Sequence, residues 1–255
     1  MQKVISLIIL TLLISFSALA ERAYDIAKSV EKANEGFLGD SSEMEMHLIN
    51  GDKKIVRSMF SQSMEVDDGE SRTLLEFLLP KDVKGTKLLT WSFDKQDDSQ
   101  WIYLPAFRKI KRISSSSKTS SFMGSEFTYE DLRAASPEKY DYKFIKEEKS
   151  DDDTLWIYER VSKKKSGYSK QVVTTSKKYM NSISVDYYDR SGQLLKQATI
   201  SGFKKFTVGK KIFWSPTKIE MKNIQTQKES VLFWKDRKLG VKLKKNDFEK
   251  KSLNR

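Results

Sequence analysis

The stretch that decides the fold covers residues 43–66 and reads EMEMHLINGDKKIVRSMFSQSMEV. Across residues 44–48 every second residue is apolar, so the apolar side chains lie on one side of an extended strand. Asn50 and Gly51 follow, a pair that favours a two-residue turn because both residues tolerate the positive φ that such turns require. The segment 53–66 then returns as a second strand. The sequence therefore predicts an antiparallel hairpin with one apolar and one polar face.

The same alternation recurs along most of the chain. Its segments are bounded by Gly, Asp, Asn, Ser or Pro, and the DRSG turn at residues 189–192 is the clearest boundary. This pattern predicts about ten or eleven strands. Apolar residues at helical spacing predict one short amphipathic helix over residues 23–35. The expected fold class is therefore mainly β (α+β).

A sheet of this size is expected to curl, because twisted open sheets of about ten strands rarely stay flat. Every strand has an apolar side that must be buried. The sheet therefore closes on itself, folds into a sandwich, or has its concave face covered by helices. Alternation alone leaves these three solutions open. The candidates for a cover are the helix at residues 23–35 and the segment 119–135.

The first twenty residues predict a secretory signal peptide. Lys3 gives a positive start, residues 4–16 are almost all apolar, and residues 18–20 (Ala-Leu-Ala) have the small-x-small ending that signal peptidase accepts. The apolar run is shorter than the roughly twenty residues of an ordinary membrane span. We expect cleavage after residue 20, export of the protein, and a single domain over residues 21–255 that ends in a short basic tail.

Composition narrows the function classes further. The chain has no cysteine, which excludes disulfides, thiol chemistry and acylation of a cysteine. Its formal net charge is +12 at pH 7. In an exported protein this charge favours anionic lipid headgroups, envelope polyanions or an acidic protein as the partner, and not nucleic acid. Runs of lysine are also typical of solvated loops and protected strand edges.

The sequence offers little for catalysis, and we expect no enzymatic activity, cofactor or metal ion. His47 is the single histidine and falls in the polar alternation of a predicted strand. No nucleophile elbow, zinc-protease helix, phosphate loop or dinucleotide fingerprint is present. The acidic groups at 67–68, 97–98 and 151–153 lack the spacing of a calcium loop and fall at predicted turns, where Asp bonds its own backbone.

The most informative stretch for function is 101–132, which combines aromatic, basic and serine-rich segments. Its serine tract has few apolar residues and is expected to be mobile unless its neighbours dock. Phe122 and Met123 follow, so one hypothesis is a lid that occupies an apolar concavity, with Gly124 as a hinge. The alternative is an ordinary loop anchored by two core side chains. A basic group precedes the tract and either meets lipid headgroups or an acidic partner, or forms a solvated strand face; it consists of Arg108, Lys109, Lys111 and Arg112.

Two motifs carry a family resemblance. The run WIYLPA at 101–106 and the run SFMGSEFTYEDL at 121–132, supported by segments 78–86 and 213–218, resemble the outer-membrane lipoprotein-sorting family, periplasmic proteins similar to LolA and LolB. The resemblance covers nearly all of the predicted mature chain. It implies a half-open, strongly curved antiparallel β-barrel in which helices and loops form a lid over an apolar cavity.

The resemblance also implies a function. This family has no catalytic residues that could be transferred to positions of this sequence. The resemblance implies a periplasmic carrier for lipids or lipoproteins, working with an RND-type exporter and touching membrane surfaces transiently. We expect the cavity to be lined by Met44, Met46, Leu75, Phe77, Leu89, Trp91, Phe93 and Trp101. Two alternatives remain at this point: a sensor in which cargo alters a protein contact, and a structural envelope protein that binds polyanions without a cavity.

Overall fold

The computed structural model describes residues 2–66 and 69–254. These residues form one α-helix, α1 (Gln2–Asn34), fifteen strands and several short 3-10 turns. The predicted turn at residues 67–68 lies outside the described residues. The strands are β1 (Gly39–Asn50), β2 (Lys53–Val66), β3 (Glu70–Leu79), β4 (Lys87–Phe93), β5 (Ser99–Leu104), β6 (Lys109–Arg112), β7 (Tyr140–Lys149), β8 (Thr154–Ser162), β9 (Lys170–Ser176), β10 (Asn181–Tyr188), β11 (Leu194–Ser201), β12 (Lys204–Val208), β13 (Lys211–Ser215), β14 (Lys218–Asn223) and β15 (Glu229–Leu239).

Thirteen of these strands form one antiparallel sheet in the order β6-β5-β4-β3-β2-β1-β15-β14-β11-β10-β9-β8-β7. The predicted hairpin at its centre is confirmed: β1 and β2 pair from Gly39 opposite Met64 to Asn50 opposite Lys53. The last long strand, β15, returns to pair with β1 and so joins the two halves of the chain. The fold is therefore dominated by one large antiparallel sheet, with a mainly β composition as predicted.

The predicted count of ten or eleven strands was too low. Among the omitted strands are β6 and β12, which read KIKR and KKFTV. Three of the four residues of β6 are lysine or arginine, and β12 begins with two lysines, so its apolar alternation is limited to Phe206 and Val208. β12 pairs only with β13, in a separate two-stranded sheet. Both strands are recognised as strands by their pairing and not by their composition.

The large sheet is strongly curved but does not close into a barrel. In a flat sheet β5 and β9, nine strand spacings apart, would be separated by about 40 Å. Yet Gln100 on β5 donates a hydrogen bond to the Tyr129 carbonyl oxygen (3.0 Å), while Tyr168, just before β9, reaches the hydroxyl of the adjacent Thr128 (3.3 Å). The end strands β6 and β7 are not paired with each other within the described part of the chain. The expected half-open barrel is thus an open, curled sheet.

The two ends of the sheet approach each other at one corner. Asp98, in the turn between β4 and β5, accepts hydrogen bonds from Lys139, next to β7 (2.5 Å), and from Arg133 (3.2 Å). The Asp98 side chain is only 2% exposed. We call this corner the seam. Side-chain ion pairs, not strand hydrogen bonds, bridge the opening there.

The helix packs on the inner face beside β7. Ala23, Ile26 and Ala27 are buried, as the amphipathic pattern predicts, and Tyr24 contacts Tyr142 on β7. Lys211 of the small β12–β13 sheet donates to the carbonyl oxygens of Lys32 (2.7 Å) and Glu35 (2.5 Å), where a cation complements the helix dipole.

The predicted signal peptide is not tested by this helix. α1 begins at Gln2, but the side chains of residues 2–17 are outside the described part of the chain. Cleavage after residue 20 therefore stays a prediction. Among the residues that are described, no helix combines the length and the apolar character needed to cross a bilayer.

Two apolar clusters lie on opposite faces of the sheet. The larger cluster lies on the concave face, called here the inner face, and includes α1 and the segment around Phe122. The smaller cluster lies on the outer face, where Leu89 packs against Phe248 and Leu253 of the C-terminal tail. Trp91 donates to the Phe248 carbonyl oxygen (2.8 Å), and Arg72 pairs with Glu249 (2.9 Å). The basic tail is therefore part of the folded domain.

Candidate functional site

The inner face is covered by a segment without long regular structure. Residues 120–131, called here the inner cover, run across the concave side of the sheet and contact both of its halves. Phe122 is fully buried, with its ring centroid 5.7 Å from that of Phe77 on β3 and 5.5 Å from that of Tyr129. Phe127 is 3% exposed in the same cluster. The inner cover thus supplies the apolar contacts that another protein would obtain from a second sheet.

The first half of the inner cover is a tight turn with an unusual backbone. The Phe122 N–H donates to the Phe127 carbonyl oxygen (2.7 Å), and the Ser125 N–H donates to the Phe122 carbonyl oxygen (3.0 Å). Met123 has φ 52° and Gly124 has φ 77°. Glycine adopts this left-handed region freely, whereas methionine does so at a cost of roughly 1 kcal/mol or more. The backbone at Met123 is therefore strained.

One arginine holds this turn to the sheet. Arg57 on β2 donates through Nη1 to the Met123 carbonyl oxygen, and its guanidinium carbon lies 5.9 Å from the Phe77 ring centroid. Its Nε is buried without a hydrogen-bond partner among the described residues. Burial lowers the pKa of Arg57, an effect that the charge of Asp82 partly offsets. This end of the cover is held at the expense of an unsatisfied buried donor.

The second half of the inner cover is anchored by a buried ion pair. Asp131 and Lys196 on β11 lie 2.6 Å apart, and each side chain is 3% exposed. Lys196 also donates to the Glu126 carbonyl oxygen (2.8 Å), and Tyr168 donates its hydroxyl proton to Asp131 (2.8 Å). Burial, together with the nearby Asp131 charge, raises the pKa of Tyr168. Here every charge has a partner, so this half of the cover is fixed more firmly than the turn at Phe122.

The predicted lid residues Phe122, Met123 and Gly124 lie in the turn of the inner cover and are unequally buried. Phe122 is fully buried, Met123 is partly buried and Gly124 is exposed. In this conformation Phe122 is a core side chain, as the alternative of an anchored loop expects.

The residues expected to line one cavity are divided between the two faces. Met44, Met46, Leu75 and Phe77 belong to the inner cluster, whereas Leu89, Trp91 and Trp101 belong to the outer cluster under the tail. Phe93 is partly buried and, by alternation along β4, faces the same side as Trp91. Alternation identifies residues that share a face but not which face is concave, and a shift of one residue exchanges the two.

The inner surface therefore includes side chains that the sequence reasoning missed. On β4 and β5 the inward residues are Leu88 and Ile102, directly beside the predicted ones. A ring of tyrosines completes the opposite half of the inner face. It comprises Tyr142, Tyr158, Tyr168 and Tyr187. Their strands alternate clearly, but only the position of the inner cover reveals that they face inward.

The basic group lies on the sheet edge. Lys109, Lys111 and Arg112 belong to β6, which pairs on one side only, with β5. Arg108 precedes the strand with φ 48°. All four side chains are exposed, and Arg112 donates weakly to the Ser99 hydroxyl (3.3 Å). This arrangement protects a free edge from pairing and also displays four cations to a partner.

His47 has a structural role on β1. Its Nε2 lies 3.0 Å from the Glu45 carboxylate, and its ring packs 4.8 Å from the Phe233 ring centroid. Within the described ranges, no three His, Cys, Asp or Glu side chains are grouped so as to hold a metal ion.

A surface pocket of about 400 Å³ lies where α1 passes β8, and its lining includes Ala18, Ile26 and Trp156. Ala18 falls within the predicted signal peptide, so cleavage after residue 20 would remove part of this wall.

Comparison with known proteins agrees with this architecture. Residues 69–255 match a family model whose description reads "Uncharacterized protein". The chain is similar to an outer membrane lipoprotein-sorting protein domain from Vibrio parahaemolyticus, with 38% identity over 92% of this chain and 100% of that one and a TM-score of 0.87. It is also similar to a DUF1329 family protein from Desulfovibrio piger, with 32% identity over 92% of this chain and 99% of that one and a TM-score of 0.85.

A third likeness concerns the fold alone. A LolA superfamily protein from Nitrosomonas europaea is 19% identical over 90% of this chain and 98% of that one, with a TM-score of 0.68. A search of curated proteins found no match to this chain.

Proposed function

The chain belongs to the outer membrane lipoprotein-sorting protein family, and we propose that within it the protein is a periplasmic carrier that shelters lipid or lipoprotein acyl chains. The inner face is the binding surface, and the first half of the inner cover, the turn at residues 122–124, is the displaceable lid. The observation that supports this most directly is the cover itself: a short irregular segment, and not a second sheet, buries the concave apolar surface.

The transfer of an acyl chain across an aqueous space requires shelter. Exposing a chain of some fourteen carbons to water costs about 0.8 kcal/mol for each methylene group. Such a chain leaves a membrane at a useful rate only if an apolar surface receives it. Methionine suits this role because its unbranched side chain adapts to varied shapes. Met44, Met46 and Met59 are all buried on the inner face.

The energy balance allows an acyl chain to replace the Phe122 side chain. Burial of one phenylalanine is worth about 3 kcal/mol at most, which is matched by about four methylene groups. A longer chain therefore gains more from the inner face than the Phe122 ring does. The strained backbone at Met123 and the unpaired Nε of Arg57 further lower the cost of displacing this turn. The Asp131–Lys196 pair keeps the other half of the cover in place.

The proposal also includes contact with membrane surfaces and with an RND-type exporter. The exposed basic group on β6 would meet anionic headgroups or an acidic surface of the partner, as weak contacts at each end of the transfer. The exporter would be the donor or the acceptor of cargo, as the family resemblance implies. The protein performs no catalysis in this scheme and needs no cofactor.

The proposal is tested by recovering the cargo. The protein is purified from the cell envelope without detergent, measured by native mass spectrometry, and then extracted with organic solvent. We expect an additional mass that extraction releases as an acylated lipid or peptide. A periplasmic protein of similar charge, purified in parallel, controls for adventitious lipid. Repeated recovery of empty protein, with no uptake from added lipid vesicles, would contradict the carrier function.

A further inference from the structure

The seam contains a polar cavity that the carrier function does not use. It has a volume of about 220 Å³ and lies between the β4–β5 turn, the end of the inner cover and the start of β7. We call it the seam pocket. Its walls come from both ends of the curled sheet, because Asp98 and Lys139 line it together. The pocket therefore exists only where the two ends meet.

The seam pocket is positively charged. Six of its fourteen lining residues are basic and four are acidic. The basic residues are Lys95, Lys118, Arg133, Lys139, Lys163 and Lys164. They come from four separate parts of the chain and surround the cavity, so their charges converge on one volume.

The acidic residues are largely engaged in contacts that hold the walls. The buried carboxylate of Asp98 is shared by Arg133 and Lys139. Glu130 accepts hydrogen bonds from the Ser166 hydroxyl and the Gly167 N–H (3.1 Å).

The other two acids are engaged as well. Glu138 accepts a hydrogen bond from the Tyr24 hydroxyl of α1 (2.6 Å), and Asp97 pairs with Lys164 (2.7 Å) at the exposed rim. The acids thus fix the pocket and leave an excess of positive charge inside it.

Lys118 is a partly buried cation whose side chain lacks a counterpart. It lines the pocket, and its ammonium group has no hydrogen-bond or ion-pair partner among the residues that the structure describes. Burial lowers its pKa, with Glu130 opposing that effect. A second cation lies next to a residue that lines the pocket. The Arg160 guanidinium carbon is 4.7 Å from the ring centroid of the lining residue Tyr140. Arg160 donates to the neutral Gln171 side chain (2.7 Å) and forms no ion pair within the described part of the chain.

We propose that the seam pocket binds the phosphate group of a phosphate ester. A compact anion with several acceptor oxygens matches lysines that converge from different directions, since each ammonium acts as a point charge towards phosphate. The volume accommodates the phosphate with a small attached group. The ester is either a soluble metabolite or the headgroup of a phospholipid that reaches the seam from outside. This proposal does not depend on acyl-chain binding at the inner face.

Calorimetric titration of the full chain tests the proposal with three probes. These are inorganic phosphate, glycerol 3-phosphate, and dihexanoyl phosphatidylglycerol below its micelle concentration. We expect saturable binding of at least one probe and a loss of about tenfold in affinity for Lys118→Gln, the size of one charge-assisted contact. Ala134→Trp, which fills the pocket from an exposed position without changing its charge, should weaken binding as well. Lys205→Gln on β12, exposed and away from the pocket, is the matched control and should leave affinity unchanged.

The outcomes separate the sources and the two proposals. Binding of glycerol 3-phosphate as tight as that of the lipid shows that the phosphate ester suffices, whereas lipid-only binding that Lys118→Gln weakens assigns the site to a headgroup. The proposal is overturned if no probe binds saturably, or if both pocket variants bind like the wild type while remaining folded. That result leaves acyl-chain binding untouched, because glycerol 3-phosphate has no acyl chain.

Discussion

The inner and outer faces of the sheet are both covered by irregular segments, yet the two covers differ in how well their polar atoms are satisfied. Under the C-terminal tail, Trp91 and Arg72 each have a partner on the tail, and Phe248 is fully buried. On the inner face, Phe122 is equally buried, but Arg57 Nε, beside the inner cover, and the Tyr142 hydroxyl, on the β7 side near α1, are buried without partners among the described residues. Among the described residues, the inner cluster thus bears the free-energy cost of unsatisfied buried polar groups, and the tail contacts on the outer face do not.

This difference indicates which of the two covers is permanent. Unsatisfied buried groups each cost about 1–3 kcal/mol, and opening a cover to water or to polar cargo recovers that amount. Displacing the tail recovers nothing and would expose Trp91 and Trp101. We therefore interpret the outer cover as fixed structure and the inner cover as the part of the fold that moves.

The largest expected effect concerns the anchored half of the inner cover. Lys196→Met leaves the buried Asp131 carboxylate without its cation and should lower the free energy of unfolding by about 4–5 kcal/mol. Urea denaturation measures this change in the free energy of unfolding. Lys222→Met, at an exposed pair with Glu229, is the control and should change stability by less than about 1 kcal/mol. Equal effects of the two substitutions would show that Asp131 does not anchor the cover.

The next effect tests the permanence of the outer cover. Phe248→Ala removes a fully buried ring and should cost about 4 kcal/mol, because the tail cannot collapse into the space under Trp91 and Trp101. Added lysophospholipid with a fourteen-carbon chain should not restore this loss. Restoration by the lipid, measured as the thermal midpoint with and without it, would mean that acyl chains bind under the tail.

The matching substitution on the inner face should behave differently. Phe122→Ala is expected to cost about 3 kcal/mol in the empty protein, again through the lost ring. The same lysophospholipid should recover most of that loss, because its chain occupies the space that the ring leaves. A thermal midpoint that stays low with lipid, as for Phe248→Ala, would contradict the assignment of the inner face as the binding surface.

The smallest effect concerns the backbone of the turn. Gly124→Ala should destabilise the closed turn by about 1 kcal/mol, since φ is 77° there, although a Cβ would meet no atom within 4 Å. Lipid uptake should become slightly faster than in the wild type. Gly192→Ala, at φ 82° in a distant hairpin turn with equally open surroundings, is the control and should leave uptake unchanged. Slower uptake in Gly124→Ala would argue against displacement of this turn.

The sequence predicted much of the fold because much of it is local. The β1–β2 hairpin follows from alternation and lies where it was predicted, but its two-residue turn is Gly51-Asp52 and not Asn50-Gly51, because Asn50 still pairs with Lys53. The strands β6 and β12 were missed because β6 is mostly cationic and β12 begins with two lysines and has only two alternating apolar residues. Local pattern therefore identifies apolar strands and overlooks basic ones that are defined by their neighbours.

The candidate site was less predictable because it depends on long-range placement. Trp91 and Trp101 were assigned to the cavity, although they face outward, because alternation does not distinguish the concave from the convex side. The Asp131–Lys196 pair joins residues 65 positions apart, and nothing local marks either one. The motif around Phe122 was visible in the sequence, but its burial followed only from the curl of the sheet.

Amide hydrogen exchange with and without the fourteen-carbon lysophospholipid shows whether an acyl chain displaces the turn at Phe122. If the acyl chain displaces the turn at Phe122, the Phe122 and Ser125 amides lose their burial and exchange faster with lipid bound, while residues 245–253 of the tail keep their protection. Unchanged or greater protection at Phe122 and Ser125 in the lipid-bound protein would contradict the account, because the inner face would then bind its cargo, if at all, without moving its cover.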